Sequence, residues 1–128
     1  MRMLIVEDDA TMQHLMATIM SRQGISCAVV NDGQSAVEAW EREGFDVIFM
    51  DIQMPVLDGL EATRIIRRRE AGRGGHTIII ATTAFATDAD REMCLKAGMD
   101  DYMSKPIDLE KLFALVDKHR ELHNPSLH

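Results

Sequence analysis

The chain has 128 residues, a formal net charge of −7 and 46% hydrophobic residues. That length fits one domain with a real core, burying roughly two thirds of its unfolded surface, and the negative balance argues against non-specific nucleic-acid binding. No apolar run approaches the roughly 20 residues of a membrane span. Met1-Arg2-Met3 leads straight into the first apolar run without a signal-peptide layout. The expected location is therefore cytoplasmic, away from any membrane. Cys27 and Cys94 are too few and too far apart for a metal framework. Both lie among apolar neighbours and read as free, buried thiols.

Leu4-Ile5-Val6 is a short buried strand that runs into three acids, Glu7-Asp8-Asp9. From Thr11, Met12, Leu15, Met16, Ile19 and Met20 recur at helical spacing and predict one core face. Asp9 reads as the cap or first-turn acid of that helix, and Gly24 as its stop. Residues 25–30 form a second strand. Asn31-Asp32-Gly33 is a turn, and a short helix over 35–43 carries Ala36, Val37 and Trp40 inward. Val47 to Met50 has the apolar continuity of a strand buried on both faces, and Asp51 ends it. Pro55 stops any ladder, and Asp58-Gly59 opens a helix over 58–70 with Leu60, Thr63, Ile65 and Ile66.

Ala71 to Gly75 reads as a loop, and 77–82 as a β-branched fourth strand closed by Thr83. Thr87 or Asp88 caps a helix that is expected to bury Met93, Cys94 and Leu95 and to stop at Gly98. Residues 101–104 make a fifth strand, followed by Lys105-Pro106. Asp108 caps a last helix with Leu109, Leu112, Phe113 and Val116 on its apolar face. The domain is expected over 1–124, with 125–128 as a frayed tail. Strand and helix alternate five times, which predicts an α/β, doubly wound parallel sheet with helices on both faces.

In such a sheet all strand carboxyl ends share one rim, where ligands bind. That rim gathers Glu7, Asp8 and Asp9, then Asp51, Thr83 and Lys105. Crowded carboxylates raise one another's pKa unless a cation binds, and Mg²⁺ suits oxygen ligands. A nucleophile-like carboxylate, a cation site, a lysine and a hydroxyl are the parts that phosphoryl transfer uses.

With these residues in their order and spacing, the chain resembles the receiver domain of two-component response regulators. The resemblance rests on Glu7-Asp8, the run Met50 to Gly59 around Asp51, Thr83-Ala84, Ala97 to Tyr102 and Lys105-Pro106. It implies a flavodoxin-like five-stranded sheet in the order 2-1-3-4-5. It implies that Asp51 accepts a phosphoryl group from a sensor histidine kinase or a histidine phosphotransfer protein. Asp8, Asp51 and the Gln53 carbonyl would hold Mg²⁺, with Glu7 acting mainly through water. Thr83 and Lys105 would bind phosphate oxygens, Tyr102 would be the switch aromatic, and Lys105-Pro106 would be cis. Gln53 and Phe85 match positions that flank the phosphate, and bulky Phe85 is expected to hinder the hydrolytic water. The output would be altered binding of a downstream domain or protein, or dimerisation. Such a domain promotes its own phosphorylation and dephosphorylation and is not an enzyme acting on an external substrate.

Two other readings use the same residues. A Mg²⁺-dependent phosphatase with an aspartyl-phosphate usually has a second Asp two residues after the nucleophile, where this chain has Gln53. An unphosphorylated pseudo-receiver would have no need for Asp51, Thr83 and Lys105 together. Arg64, Arg67, Arg68, Arg69 and Arg73 read as a solvated helix face and loop, and the five histidines lack metal-ligand spacing. The motifs around Asp51 and Lys105 look like those of hybrid-kinase receivers.

Overall fold

The computed structural model describes residues 2–52, 58–84 and 87–123, with side chains through His119. Gln53, Phe85 and the tail from Pro125 lie outside the described residues, as do Pro55 and its neighbours. The element order is β1 (Arg2–Val6), α1 (Ala10–Arg22), β2 (Ser26–Val30), α2 (Gly33–Glu43), β3 (Val47–Asp51), α3 (Gly59–Arg73), β4 (Ile78–Thr83), α4 (Asp88–Ala97), β5 (Asp101–Ser104) and α5 (Leu109–His123). The five strands are parallel and ordered β2-β1-β3-β4-β5, as the resemblance implies.

Alternation along the strands divides the core between the two faces of the sheet. Leu4, Val6, Ile48, Met50, Ile79 and Ala81 face α2, α3 and α4, meeting Val37, Trp40, Ala62, Ile66 and Cys94. Met3, Ile5, Val47, Phe49, Ile80 and Met103 face α1 and α5, meeting Met16, Met20, Leu112 and Val116. Burying each such side chain fully contributes about 1.5–3 kcal/mol, so the central strands are the most firmly held part of the chain.

Caps set where the helices begin. The side chains of Asp9, Asp32, Asp58 and Thr87 accept the backbone N–H groups of Thr11, Ser35, Glu61 and Asp90. Asp108 accepts that of Glu110. Each satisfies a donor that the first helical turn leaves open. Thus Asp9 is the cap it was read to be.

Several expectations need correction. Helix α2 starts at Gly33, because Asp32 caps it, and not at Ser35. Helix α3 runs on to Arg73, through what composition suggested was a loop. Ala71 and Gly72 continue the turn, and Gly74 ends it with its N–H on the Glu70 carbonyl. Met93 and Leu95 are exposed, at 48% and 52%, and only Cys94 of that trio is buried. Leu15 and Leu109 are exposed as well. In each case the helix buries a narrower stripe than its apolar residues could fill. Cys27 is half-buried, on an edge strand, whereas Cys94 is buried. Burial pushes the Cys27 thiol up to about 11, which keeps it protonated and inert.

Candidate functional site

The parallel register brings four chain segments to one rim. Asp51 pairs with Thr82 across β3 and β4, and Thr83 with Ser104 across β4 and β5. Beyond the ladder, the Ile52 N–H donates to the Thr82 carbonyl at 3.1 Å and the Lys105 N–H to the Thr83 carbonyl at 2.7 Å. On the other side of β3, the Glu7 N–H donates to the Val30 carbonyl at 3.1 Å. These bonds fix the backbone that carries each functional side chain, so the site stands on the rigid end of the sheet.

Glu7, Asp51 and Thr83 are all buried, whereas Asp8 is exposed. The Lys105 ammonium bridges two of the carboxylates, at 2.9 Å from Glu7 Oε1 and 3.1 Å from Asp51 Oδ2. The other Glu7 oxygen accepts the Asp9 N–H at 3.1 Å. Gln13 donates its side-chain amide to the Glu7 backbone carbonyl, which ties α1 to the same loop. The Lys105-Pro106 peptide is cis, as the resemblance implies.

One ammonium serves three carboxylates. A hydrogen bond to Glu7 raises the pKa of Asp8, and burial and the Glu7 charge push the same way. Its own backbone N–H and Lys105 pull back only in part. At Lys105, burial works against the charge, but the bonds to Glu7 and Asp51 outweigh it and raise the pKa. The site therefore holds more negative charge than it neutralises. Carboxylate oxygens of Glu7, Asp8 and Asp51 all lie within 4.8 Å of one another. An all-oxygen, net-anionic donor set of this size fits a hard divalent cation such as Mg²⁺.

Tyr102 is half-buried against the core beneath α4, with the Arg91 guanidinium 5.5 Å above its ring. Among the sequence-nominated residues, Glu7, Asp8, Asp51, Thr83 and Lys105 thus meet at one rim. Tyr102 lies back along β5, paired with Ala81 two residues before Thr83, and Gln53 lies outside the described residues. The basic run needs correction. Arg67 is not a solvated side chain: it is 17% exposed and pairs with Glu70 and Asp100, each at 2.7 Å. It also donates to the Gly98 carbonyl at 2.8 Å. Arg73 lies over the Trp40 ring at 4.6 Å. Its neighbours Arg64, Arg68 and Arg69 sit on the outer face, paired with Glu61 and Glu41.

The profile of the response regulator receiver domain family matches residues 3–117. Hybrid signal transduction histidine kinase I of Dictyostelium discoideum is 40% identical over an alignment of 121 residues, and the match covers 91% of this chain and 7% of that protein. The chain therefore spans a small part of such relatives. The receiver domain of sensor histidine kinase PA1611 from Pseudomonas aeruginosa PAO1, solved with a magnesium ion coordinated in its active site cleft, is 42% identical. It superposes with a TM-score of 0.82, covering 91% of this chain and 94% of that one. The receiver domain of Ssk1 from Saccharomyces cerevisiae, co-crystallised with the histidine phosphotransfer protein Ypd1, is 36% identical with a TM-score of 0.82. There the match covers 88% of this chain and 83% of the other. The chain belongs to the response regulator receiver domain family, the switch module of two-component phosphorelays.

Proposed function

We propose that this chain is a Mg²⁺-dependent phosphoacceptor whose Asp51 takes a phosphoryl group from the phosphohistidine of a sensor kinase or a histidine phosphotransfer protein. One observation carries the reading: Lys105 Nζ bridges Glu7 and Asp51 at a rim where carboxylates outnumber cations. An Asp51 oxygen attacks phosphorus while the P–N bond to the donor histidine breaks. The new P–O bond makes an acyl phosphate, and the imidazole leaves with the P–N electron pair and takes up a proton. Lys105 exchanges its carboxylate partner for a phosphoryl oxygen, and the Thr83 hydroxyl donates to another. Asp8, Asp51 and the Gln53 carbonyl would hold Mg²⁺, and Glu7 would act on it through water. When bound, Mg²⁺ supplies the positive charge that lets an anionic phosphoryl donor approach the carboxylates.

The magnesium in the Pseudomonas receiver and the phosphotransfer partner of the yeast receiver support this reading. The new charge draws Thr83 inward, Tyr102 follows, and the α4–β5–α5 face changes its affinity for a downstream domain, a downstream protein or a second copy. Hydrolysis of the acyl phosphate, hindered by Phe85, resets the switch. The unit spans residues 1–124 and works in the cytoplasm. The test is the intact mass after incubation with acetyl phosphate, with and without Mg²⁺, on wild type and Asp51→Asn. A single phosphate adduct that requires both Mg²⁺ and Asp51 is expected. An adduct that survives Asp51→Asn overturns the assignment, as does its absence from the wild type with Mg²⁺ present.

A further inference from the structure

Helix α3 opens in direct contact with the backbone of the phosphoacceptor. A Cβ built on Gly59 would collide with the Asp51 carbonyl oxygen, the Ile52 Cα and the Met50 Cγ. Two of those atoms are backbone, and the third belongs to a side chain with no exposed surface. At such separations something must shift, and two of the three atoms that would shift are the backbone of the strand end itself. Gly59 has no positive φ, so conformational freedom is not what its position demands. The requirement is for space.

A second contact holds the same turn in place. The Thr63 hydroxyl, fully buried, donates to the Gly59 carbonyl at 2.8 Å. Asp58 caps the turn from outside through the Glu61 N–H at 2.9 Å. The first turn of α3 is thus pinned at both its carbonyl and its N–H side while its first Cα presses on the strand end. By contrast, Gly72, near the other end of the same helix, has nothing within 4 Å of where its Cβ would lie.

We propose that Gly59 and Thr63 are positioning residues for phosphoryl transfer, which set the Asp51 carboxylate by bracing the strand end from behind. The inference rests on Asp51 being the phosphoacceptor. Reacting groups must be placed to within about an ångström, and a misplacement of that size lowers rates by roughly a hundredfold. Steric pressure on Asp51 and Ile52 moves the carboxylate with its backbone. Thr63→Val keeps the side-chain shape but removes the tether, giving a milder version of the same displacement.

The experiment measures four properties in wild type, Gly59→Ala, Thr63→Val, Gly72→Ala and Leu112→Ala. They are Mg²⁺ affinity, the initial rate of adduct formation from acetyl phosphate at saturating Mg²⁺, the exchange rate of the Ile52 N–H, and the melting temperature. Gly59→Ala is expected to slow adduct formation by about 10- to 100-fold, to weaken Mg²⁺ binding and to speed Ile52 exchange. Thr63→Val is expected to slow it by roughly 3- to 10-fold. Gly72→Ala and Leu112→Ala keep the wild-type rate at a temperature where both are folded, although Leu112→Ala melts lower. If Gly59→Ala does not fold, Thr63→Val decides the matter alone. Wild-type rate and Mg²⁺ affinity in the folded variants overturn the inference, and so does an equal slowing in Leu112→Ala. No adduct on the wild type would instead remove the phosphoacceptor reading on which this one depends.

Discussion

The two rims of the sheet hold charge in opposite ways. At the carboxyl rim, the Lys105 ammonium stands among the carboxylates of Glu7, Asp8 and Asp51. At the amino rim, Arg67 is matched by Asp100 and Glu70, and the remaining carboxylate oxygens are taken as well. Asp100 accepts the Ile79 N–H at 2.8 Å and meets His76 Nε2 at 2.7 Å, while Glu70 accepts the Thr77 N–H at 2.7 Å. The Trp40 indole N–H donates to the Thr77 hydroxyl at 3.0 Å. The amino rim is a satisfied network and works as a clasp between α3, β4 and the approach to β5. Among the described residues, the carboxyl rim sets three carboxylates against one ammonium, an imbalance that an added cation would offset. Perturbed, under-neutralised charge marks the end of this sheet that carries the candidate site, and fully paired charge marks the structural end.

The largest effect should follow from breaking the balanced rim. Arg67→Met leaves Asp100 and Glu70 without their cation and is expected to lower unfolding free energy by about 3 kcal/mol, the low end for a buried pair because Asp100 keeps some solvent. Urea unfolding measures it, and a loss below one third of that size would show that the clasp is decorative.

A change of opposite sign is expected at the other rim. In EDTA, Asp8→Asn removes one of three crowded acids and should stabilise the fold by about 0.5 kcal/mol, the scale of a solvent-screened charge. The pH dependence follows from the raised pKa. Because folding holds the Asp8 proton more tightly, Asp8 destabilises the native state as pH rises through its folded pKa. The gain in Asp8→Asn is thus full above that pH and vanishes below the ordinary carboxylate value of 3.8. Saturating Mg²⁺ should reverse the ranking, stabilising wild type more than the variant. Thermal melts across pH with and without Mg²⁺ test both statements, and a variant less stable than wild type in EDTA would contradict the crowding argument.

The smallest effect belongs to neither rim. Leu95→Gln, on the exposed flank of α4, should change stability by less than about 0.5 kcal/mol. A larger loss would mean that the flank is covered in solution.

Strand ends were legible in the sequence because a buried parallel strand is a continuous apolar run, and a charge or hydroxyl at its end announces the rim. That logic placed Glu7, Asp51, Thr83 and Lys105 at the rim, and the resemblance to the receiver family, not any spacing, implied the strand order. Arg67 was not legible. Its partners Gly98 and Asp100 come from another crossover, and an arginine among arginines on a helix reads as solvated. Asp58-Gly59 was visible as the opening of a helix. That Gly59 also touches Asp51 depends on how closely α3 approaches β3, which no local pattern encodes. Met93 and Leu95 misled for a related reason: one covering layer buries a stripe of α4, and composition does not say how wide the stripe is.

The chain has one tryptophan and one tyrosine, and the fold gives them different spectroscopic uses. Trp40 is 5% exposed, stacked beneath Arg73 and bonded to Thr77 at the amino rim. Its fluorescence should report loss of the whole fold in a single transition and stay nearly silent when the distant carboxyl rim binds a cation. Tyr102, on the strand that leads to Lys105, is the chromophore placed to register events there. Together they would give one optical signal for folding and, on the proposed function, another for switching, without an introduced label.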